Sequence, residues 1–401
     1  MTVKNIETAA VRLAGVLHRN PVCSSNTFSE MCGAELYLKC ENQQKTGSFK
    51  VRGAYNKISA LMEKEKVNTV IASSAGNHAQ GVAYAAKRLN VKSVIVMPRA
   101  TPIAKIAATE GYGAEVMLYG DCYDDAYQKA MELKNGMDDA VFVHPFDDPD
   151  VIAGQGTVAL EIFRDVPAAD VIVVPAGGGG LLAGVSSYVK QINPRVKVYG
   201  VQAEGADAIV KSFNSKKRVV SDRVLTIADG IAVKAPGSLT MELIGKFADG
   251  MVTVNDAQIA EAILLLLERS KQIVEPAGAA SLAAVLNGKL DVAGKRVVCV
   301  LSGGNIDVSF IHKIVEKGLI KRGRQIKFRT VLPDVPGSLE RFSGIIAKEN
   351  ANIIMIQYDR LQADLQLNEA ILHVACEVAG DAHGRALITR LAEENYNIIL
   401  E

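Results

Sequence analysis

The sequence contains no tryptophan, and aromatic residues make up only 5% of its 401 residues. Proteins that bind single-stranded nucleic acids stack the bases on aromatic side chains, so this composition argues against that function. The charge balance agrees, because 45 lysines and arginines against 44 acidic residues give a formal net charge of +1. Proteins that bind nucleic acids or anionic membrane surfaces usually carry an excess of positive charge. We therefore predict neither kind of partner.

The sequence has six cysteines but no C-x-x-C pair, and no histidine pair at zinc-ligand spacing. We interpret the thiols as reduced and mostly buried, and we predict no zinc site. No apolar run reaches the roughly 20 residues of a membrane-spanning helix. The first 21 residues include Glu7 and lack the apolar core of a signal peptide. These absences together predict a cytoplasmic protein.

Short β-rich runs alternate with segments of helical length between about residues 35 and 320. The predicted strands are TVIAS, SVIVMP, EVMLYG, AVFVHP, DVIVVPAGGG, KVYGVQAE and RVVCVLSGGN. Nearly continuous apolar strands separated by helices indicate parallel sheets that are buried on both faces. Ligands of such sheets bind beyond the carboxyl ends of the strands. The segments to inspect are therefore the turn at Lys50 and the loops 73–81, 175–184 and 301–305.

The pattern changes after the basic segment 320–325. Four strands are predicted in IKFRTVLPD, ANIIMIQYD, NEAILHVACEVA and NIIL, and two helices in PGSLERFSGIIAKEN and DAHGRALITRLAEENY. Their order is βαββαβ, which is typical of a ferredoxin-like unit. Since the chain is also too long for one small core, we place a domain boundary near residue 322.

Four consecutive glycines, Gly177, Gly178, Gly179 and Gly180, follow a predicted strand and precede a helix that starts near Leu181. Without side chains the backbone can approach a ligand closely. The free N–H groups and the dipole of the helix start favour an anion there. The pattern predicts a phosphate group, and the alternative is a tight turn required only for packing.

A dinucleotide is one candidate for this phosphate. Gly178, Gly180 and Ala183 match G-x-G-x-x-A, and Glu204 follows about 20 residues later, as in nicotinamide-binding proteins. This interpretation gives no role to Lys50.

Pyridoxal 5′-phosphate is the other candidate. This cofactor needs a lysine for its imine, a site for its phosphate and a partner for its ring nitrogen. Lys50 lies where a predicted strand passes into a helix and can supply the imine. The glycines can hold the phosphate, and Ser302 can meet the ring nitrogen.

Five segments carry a resemblance to a known family. They are, in order, GSFKVRG, SSAGNHAQG, PAGGGGLLAG, EPAG and LSGGN. They resemble the fold-type II pyridoxal-phosphate enzymes and, among these, the threonine ammonia-lyases (threonine/serine dehydratases), over about residues 5–320. The part from residue 326 is similar to an ACT domain, a small-molecule sensing module. The resemblance implies a catalytic domain in residues 1–321, with a smaller subdomain at about 46–148, and a regulatory ACT domain in residues 326–401.

The resemblance also implies roles for individual residues. Lys50 would bind the cofactor as a Schiff base and, once released by the substrate, remove its Cα proton. Cofactor contacts would come from Phe49, Asn77, Gly177, Gly178, Gly179, Gly180, Leu181, Glu275 and Ser302. The substrate would be bound by Ser73, Ser74, Ala75, Gly76 and His78. Plain structural roles remain open for several of them, namely helix capping for the serines and Asn77, a core position for Phe49, a helix-start carboxylate for Glu275 and a buried position for His78.

The reaction implied is the conversion of L-threonine to 2-oxobutanoate and ammonia, with L-serine giving pyruvate. A hydroxyl at Ser302 can leave the ring nitrogen neutral, which suits immediate loss of a β-leaving group. Related serine racemases carry a serine at the position of Ala75, so racemisation is disfavoured here. Some relatives bind a divalent cation after the strand that ends near Val201. Because Gln202 and Ala208 occupy the aligned positions, we predict no metal there.

The segment PDVPGSL predicts an effector site in the C-terminal domain. Gly337 and Ser338 at a helix start would bind a carboxylate, and Asp334 would meet an ammonium group. These are the two ends of an amino acid such as isoleucine or valine. The alternative is that these residues only cap the helix and the domain only assembles a homodimer or homotetramer.

Other functions remain open from the sequence. Within the same fold they are β-replacement and serine racemisation. Outside it they are a nicotinamide-dependent oxidoreductase and a non-catalytic amino-acid sensor.

Overall fold

The computed structural model describes residues 1–64, 67–362 and 365–401. The strands are β1 (Val22–Ser24), β2 (Glu35–Cys40), β3 (Thr69–Ser73), β4 (Lys92–Met97), β5 (Glu115–Leu118), β6 (Ala140–Phe142), β7 (Val171–Pro175), β8 (Lys197–Ala203), β9 (Gly250–Val254), β10 (Arg296–Leu301), β11 (Gln325–Pro333), β12 (Asn352–Asp359), β13 (Glu369–Glu377) and β14 (Ile399–Leu400).

The α-helices are α1 (Val3–Leu13), α2 (Asn26–Cys32), α3 (Lys50–Met62), α4 (Asn77–Arg88), α5 (Ile103–Gly111), α6 (Tyr123–Asn135), α7 (Pro149–Asp165), α8 (Gly180–Ile192), α9 (Ala208–Ser215), α10 (Ser238–Phe247), α11 (Asp256–Leu265), α12 (Pro276–Leu286), α13 (Val308–Lys321), α14 (Ser338–Lys348) and α15 (Asp381–Glu393). The chain forms two compact units, Met1–Ile306 and Asp307–Glu401.

The first unit contains two sheets. One has six strands in the order β1-β2-β10-β7-β8-β9, and the other has four in the order β5-β4-β3-β6. All their strand pairs are parallel except β1 with β2. The central strands β3 and β7 are buried along their whole length, because helices cover both faces. The α/β fold with parallel sheets is therefore confirmed.

Close helix packing places the start of α3. A Cβ atom on Gly154 of α7 would lie 2.5 Å from the carbonyl oxygen of Arg52 in α3. A Cβ atom on Gly184 of α8 would lie 2.5 Å from the carbonyl oxygen of Ile152 in α7. These glycines let the three helices touch backbone to backbone, which leaves little room for α3 to shift.

The second unit contains the predicted βαββαβ order in β11, α14, β12, β13, α15 and β14, preceded by α13. Its four strands form an antiparallel sheet in the order β12-β13-β11-β14. Phe328 and Leu372 from the sheet pack with Phe342 of α14 and Leu391 of α15 in a separate apolar core.

Within the described residues, no helix combines the length and the apolar composition that crossing a membrane requires. The segment AILLLLE, residues 262–268, lies at the end of α11 and in the π-helical turn Leu266–Ser270 that follows it.

Candidate active site

Lys50 is the first residue of α3, as the sequence predicted. The strand β2 ends at Cys40, and the chain then turns through Gly47, whose φ of +69° favours glycine. The Lys50 amine donates a hydrogen bond to the carbonyl oxygen of Pro145 at 2.9 Å. This carbonyl belongs to the loop between β6 and α7, so the lysine lies at the carboxyl ends of the strands of the smaller sheet.

Lys50 is half-buried, and protein atoms surround its amine. Burial lowers the pKa of Lys50 to about 8, against the opposing attraction of the Glu275 carboxylate. Loss of solvation disfavours the charged ammonium form. The amine can therefore lose its proton near neutral pH and act as a base or a nucleophile.

The segment containing Ser302 lies alongside the Lys50 turn. The Phe49 N–H donates to the Ser302 carbonyl oxygen at 3.1 Å, and the Gly304 N–H donates to the Gly47 carbonyl oxygen at 2.8 Å. Ser302 is 3% exposed, and its hydroxyl makes no hydrogen bond with the described residues. Phe49 is half-buried, and the Lys50 amine lies 5.4 Å from its ring centroid. The structure thus places Ser302 beside the turn that carries Lys50, although the two residues are far apart in sequence.

Asn77, Glu275 and Asn305 form a chain of hydrogen bonds. The Asn77 amide donates to Glu275 Oε1 at 2.8 Å, and the Asn305 amide donates to Asn77 Oδ1 at 2.7 Å. Glu275 precedes α12 but makes no side-chain cap there. Burial raises its pKa to about 7, against the hydrogen bond from Asn77 and with a further increase from Asp229. Glu275 therefore titrates near neutral pH in the same part of the protein as Lys50.

The predicted substrate loop connects β3 to α4. Ser73 ends β3, and its hydroxyl is buried with no hydrogen-bond partner among the described residues. Ser74 accepts a hydrogen bond from the Gly76 N–H at 3.2 Å, while Ala75 is half-buried. Gly76 at the N-cap of α4 has no side chain, and no side chain of the described residues accepts a hydrogen bond from the first N–H groups of this helix. The helix start therefore keeps donors available for a carboxylate.

His78 lies on α4 behind this loop and is buried. Its Nε2 atom lies 2.9 Å from the Val143 carbonyl oxygen, so this nitrogen carries the proton and donates. Burial is the main cause that lowers the pKa of His78 to about 3, so the ring is neutral. These contacts favour the structural role, and substrate contact by His78 stays a prediction.

The glycine run forms a narrow turn before α8. Gly179 has φ of +95°, and within the described parts of the chain no side chain accepts a hydrogen bond from the helix start. A Cβ atom on Gly178 would lie 2.3 Å from the Phe146 ring, and one on Gly180 would lie 3.1 Å from the Phe146 carbonyl oxygen. Thr240 Oγ1 donates to the Gly178 carbonyl oxygen at 2.8 Å and holds the turn. Leu181, the next residue, is buried in the helix.

Several residues of the site were not predicted. Pro145, Phe146 and Asp147 follow β6, and Asp147 accepts hydrogen bonds from the N–H groups of Ser238 and Thr240 at the start of α10. The rule that ligands bind beyond strand ends would have indicated this loop, since AVFVHP was recognised as a strand. Asn305 is the last residue of the recognised segment LSGGN.

Gln202 lies near the end of β8 and Ala208 begins α9, at the positions where some relatives would place a cation. Gln202 Oε1 accepts hydrogen bonds from the N–H groups of Ile209 and Val210 at 2.8 and 2.9 Å and so caps α9. Throughout the described parts of the chain, no three His, Cys, Asp or Glu side chains are grouped as metal ligands. The absence of a metal requirement stays a prediction.

The predicted effector residues of the second unit meet at the start of α14. Asp334 lies 3.1 Å from Arg360 and accepts a hydrogen bond from the Tyr358 hydroxyl at 3.2 Å. Gly337 precedes the helix with φ of +85°. The Ser338 hydroxyl is buried, and it has no hydrogen-bond partner among the residues described. Effector binding stays a prediction.

The residues of the first unit fit pyridoxal 5′-phosphate. Lys50 offers an amine of lowered pKa, and the start of α8 offers a bare glycine backbone that any side chain would obstruct. The hydroxyl of Ser73 is buried and makes no hydrogen bond with described residues, and Ser302 as a whole residue is 3% exposed. Buried polar groups of this kind usually have a partner, so a bound molecule can supply it.

Comparison with known proteins agrees with this fit. Residues 14–303 match the family model described as pyridoxal-phosphate dependent enzyme. An L-threonine ammonia-lyase of Thermotoga maritima is 47% identical over 398 residues, which are 99% of each chain. The structure of the processed form of threonine deaminase isoform 2 from Solanum lycopersicum is similar, with a TM-score of 0.74 and 38% identity, covering 78% of this chain and 86% of that one.

Maize serine racemase has a similar structure as well, with a TM-score of 0.75 and 35% identity, covering 80% of this chain and 98% of that chain. The lyase of Thermotoga maritima is 47% identical over 99% of this chain, whereas the racemase is 35% identical and covers 80% of it. The chain is therefore more similar to the lyase than to the racemase. The chain belongs to the pyridoxal-phosphate dependent enzymes of fold type II and, among them, to the family of the threonine ammonia-lyases.

Proposed function

We propose that this enzyme converts L-threonine to 2-oxobutanoate and ammonia, and L-serine to pyruvate and ammonia. The observation that carries the proposal is the Lys50 amine at the start of α3, with a pKa lowered to about 8. It lies in a chain 47% identical to an L-threonine ammonia-lyase over nearly its whole length. An amine of that pKa suits removal of a Cα proton near neutral pH.

The cofactor would be held by residues from several elements. Lys50 would bind it covalently, and Gly177, Gly178, Gly179, Gly180 and Leu181 would surround its phosphate at the start of α8. Ser302 would meet the ring nitrogen, and Phe49, Asn77 and Glu275 would lie near the ring. When bound, pyridoxal phosphate supplies an electron sink that makes the Cα–H bond of an amino acid acidic.

The residues proposed for the site favour elimination over racemisation. Lys50 would take the Cα proton. Racemisation needs a second proton carrier on the opposite face of Cα, and Ala75 has no group that carries a proton. The Ser302 hydroxyl does not hold a positive charge on a ring nitrogen as a carboxylate would, so a carbanion is less stabilised. Immediate loss of the β-hydroxyl group is therefore favoured.

We also propose that the two parts of the chain have different functions, one catalytic and one regulatory. Residues 1–321 would be the catalytic domain, with a smaller subdomain at about 46–148, and residues 326–401 would be an ACT domain. The βαββαβ order supports an amino-acid site at the start of α14, as does the buried Ser338 hydroxyl, which has no hydrogen-bond partner among the residues that the structure describes. Isoleucine or valine is the proposed effector. We also propose a cytoplasmic homodimer or homotetramer.

The products made by the purified, cofactor-loaded protein test the proposed reaction. L-Threonine should give 2-oxobutanoate, and L-serine should give pyruvate with little D-serine. Lys50→Ala should abolish both products while the fold, followed by circular dichroism, is retained. Lys57→Ala is a matched control, since it removes a lysine from the same helix whose amine pairs with Asp148 and Asp150 instead of Pro145. D-Serine as the dominant product, or normal turnover by Lys50→Ala, would refute the proposal.

A further inference from the structure

Arg52 lies two residues after Lys50 in α3, and it is 1% exposed. An α-helix has 3.6 residues per turn, so residues two apart point to nearly opposite sides. Lys50 reaches the Pro145 carbonyl oxygen in the loop after β6, whereas Arg52 reaches acidic side chains in the interior. An effect of Arg52 on the reaction would therefore pass through the helix and not through contact with a ligand.

The Arg52 guanidinium uses all five of its N–H donors. Two bonds go to the carboxylate oxygens of Glu41, at 2.7 and 2.8 Å, and two go to those of Glu161, at 2.7 and 2.8 Å. The fifth goes to Thr157 Oγ1 at 3.1 Å. A guanidinium presents its donors in a rigid plane, so five bonds fix both its position and its rotation.

Lys39 completes this buried ionic cluster. Its amine lies 2.6 Å from Glu161 and 3.8 Å from Glu41, so two cations balance two carboxylates. The desolvation of buried charges offsets much of their attraction, and such clusters are weak evidence for stability. Defined geometry is the property that apolar side chains of similar volume would not supply. The cluster is therefore better explained by what it positions.

The cluster joins the elements that surround the Lys50 amine. Glu41 directly follows β2, which pairs in parallel with β10, and β10 ends one residue before Ser302. Glu161 lies on α7, which follows the loop that contains Pro145. Arg52 thus connects α3, which carries Lys50, to β2 and α7. These two elements lead to Ser302 and to the Pro145 loop, which lie beside Lys50.

We infer that Arg52 is a positioning residue, which locks α3 to β2 and α7 and thereby sets the place of the Lys50 amine relative to Ser302 and the Pro145 loop. The inference depends on the proposed function in one respect, which is that kcat is measured with the proposed substrate, L-threonine. The visible absorption of the bound cofactor reports the same geometry without turnover. A misplacement of about 1 Å in a reacting group lowers a rate about 100-fold.

Arg52→Lys in the holoenzyme tests this inference, because it keeps the charge and loses the planar fork. We expect kcat to fall about 10- to 100-fold with KM changed less than about threefold. We also expect a shift, by about half a pH unit or more, in the pH midpoint of the visible band without substrate, since the surroundings of Lys50 change.

Lys57→Met is the matched control. Lys57 lies on the same helix, two turns further on, and its amine pairs with Asp148 at 2.8 Å and Asp150 at 3.3 Å. This variant also breaks ion pairs between α3 and the start of α7. It should lower the melting temperature without moving kcat or the visible band.

Two results would overturn the inference. One is an Arg52→Lys enzyme with unchanged kcat and band, and the other is a loss of kcat that only parallels the loss of melting temperature in both variants. If Arg52→Lys does not fold, Glu161→Gln is judged by the same readouts, because it weakens two of the five bonds. If the wild-type enzyme does not convert L-threonine, the proposed substrate is wrong, and the band still decides the role of Arg52.

Discussion

Helices α8 and α14 both begin after a glycine with left-handed backbone, but the surroundings of the two glycines differ. Gly179 has φ of +95° and Gly337 has φ of +85°. A Cβ atom on Gly179 would lie 2.8 Å from Ile244 and 3.1 Å from Thr240, whereas one on Gly337 would meet no described atom within 4 Å. The first helix start is enclosed by packed side chains and the second is open. A left-handed glycine before a helix therefore belongs to a closely packed turn at α8 and to an accessible turn at α14.

The largest effect is expected from Gly178→Ala. The new Cβ atom would lie 2.3 Å from the Phe146 ring, so the ring or the turn must move. Overpacking of this kind costs about 1–3 kcal/mol, and displaced N–H groups would hold a phosphate poorly. We expect cofactor affinity to fall about tenfold or more and turnover of L-threonine to fall about 100-fold. Cofactor titration followed by visible absorbance and a 2-oxobutanoate assay measure both.

Gly245→Ala is the control for this variant, because a Cβ atom there, in α10, would meet no described atom within 4 Å. It should leave cofactor affinity and turnover unchanged. Normal cofactor affinity in Gly178→Ala would show that the enclosed start of α8 is not the phosphate site, and the contrast with α14 would lose its meaning.

A second effect concerns the ionisation of Glu275. Burial raises the pKa of Glu275 from 4.5 to about 7, so the folded protein favours the protonated acid. The stability from this protonation is complete below pH 4.5 and is lost as the pH rises through 7. Glu275→Gln removes this titration. The change that it causes in the free energy of unfolding should therefore be more favourable at pH 8 than at pH 5, by up to about 3 kcal/mol.

Denaturant unfolding of the cofactor-free protein at pH 5 and pH 8 measures this difference. The transition to follow is the one that moves when cofactor is added, because it reports the unit that contains Glu275. Asp334→Asn in the second unit is the comparison. It removes an ion pair whose partner Arg360 is 63% exposed, and such a pair contributes about 0–1 kcal/mol. Equal effects of Glu275→Gln at the two pH values would contradict the raised pKa.

The smallest effect is expected at α14 and concerns regulation. An effector acts through its different affinities for two states, and typical couplings change affinity about 5- to 150-fold. Asp334→Asn should weaken the response to isoleucine or valine at least about fivefold, because it removes the carboxylate proposed to meet the ammonium group. Titrating both amino acids against the lyase activity of each form measures the change.

Glu394→Gln is the control, since it removes an exposed ion pair with Arg390 elsewhere in the same unit. It should keep the wild-type response. An unchanged response in Asp334→Asn, or no response from the wild-type chain, would leave the second unit with an assembly role.

The fold was largely predictable because its central strands are buried on both faces. Continuous apolar runs such as VIVVP in β7 stand out from the helices around them. The edge strands β1 and β9 were missed, since β1 has three residues and β9 is mostly half-buried. A short or half-buried strand leaves little hydrophobic signal in a sequence.

The site was predictable where a motif and a strand end coincide, as at Lys50, Asn77 and the glycine run. Asp147 and Asn305 were missed because their partners lie far away in sequence. Asp147 caps a helix about 91 positions later, and Asn305 binds Asn77 across 228 positions. Hydrogen bonds of this range depend on how the elements pack, and no local pattern encodes them.

The sequence by itself determined the chemistry available: a lysine at a strand-to-helix turn, a run of glycines before a helix, and a serine at the end of a third segment. Their chain positions follow from local backbone preferences and hydrophobic periodicity. Only the tertiary structure decided their state. The Lys50 amine has a pKa near 8 because other elements remove it from water. Glu275 is held by an asparagine 198 positions away, and Arg52 by carboxylates 11 and 109 positions away. Desolvation and hydrogen bonding act through space, so they exist only once the sheets and helices have packed.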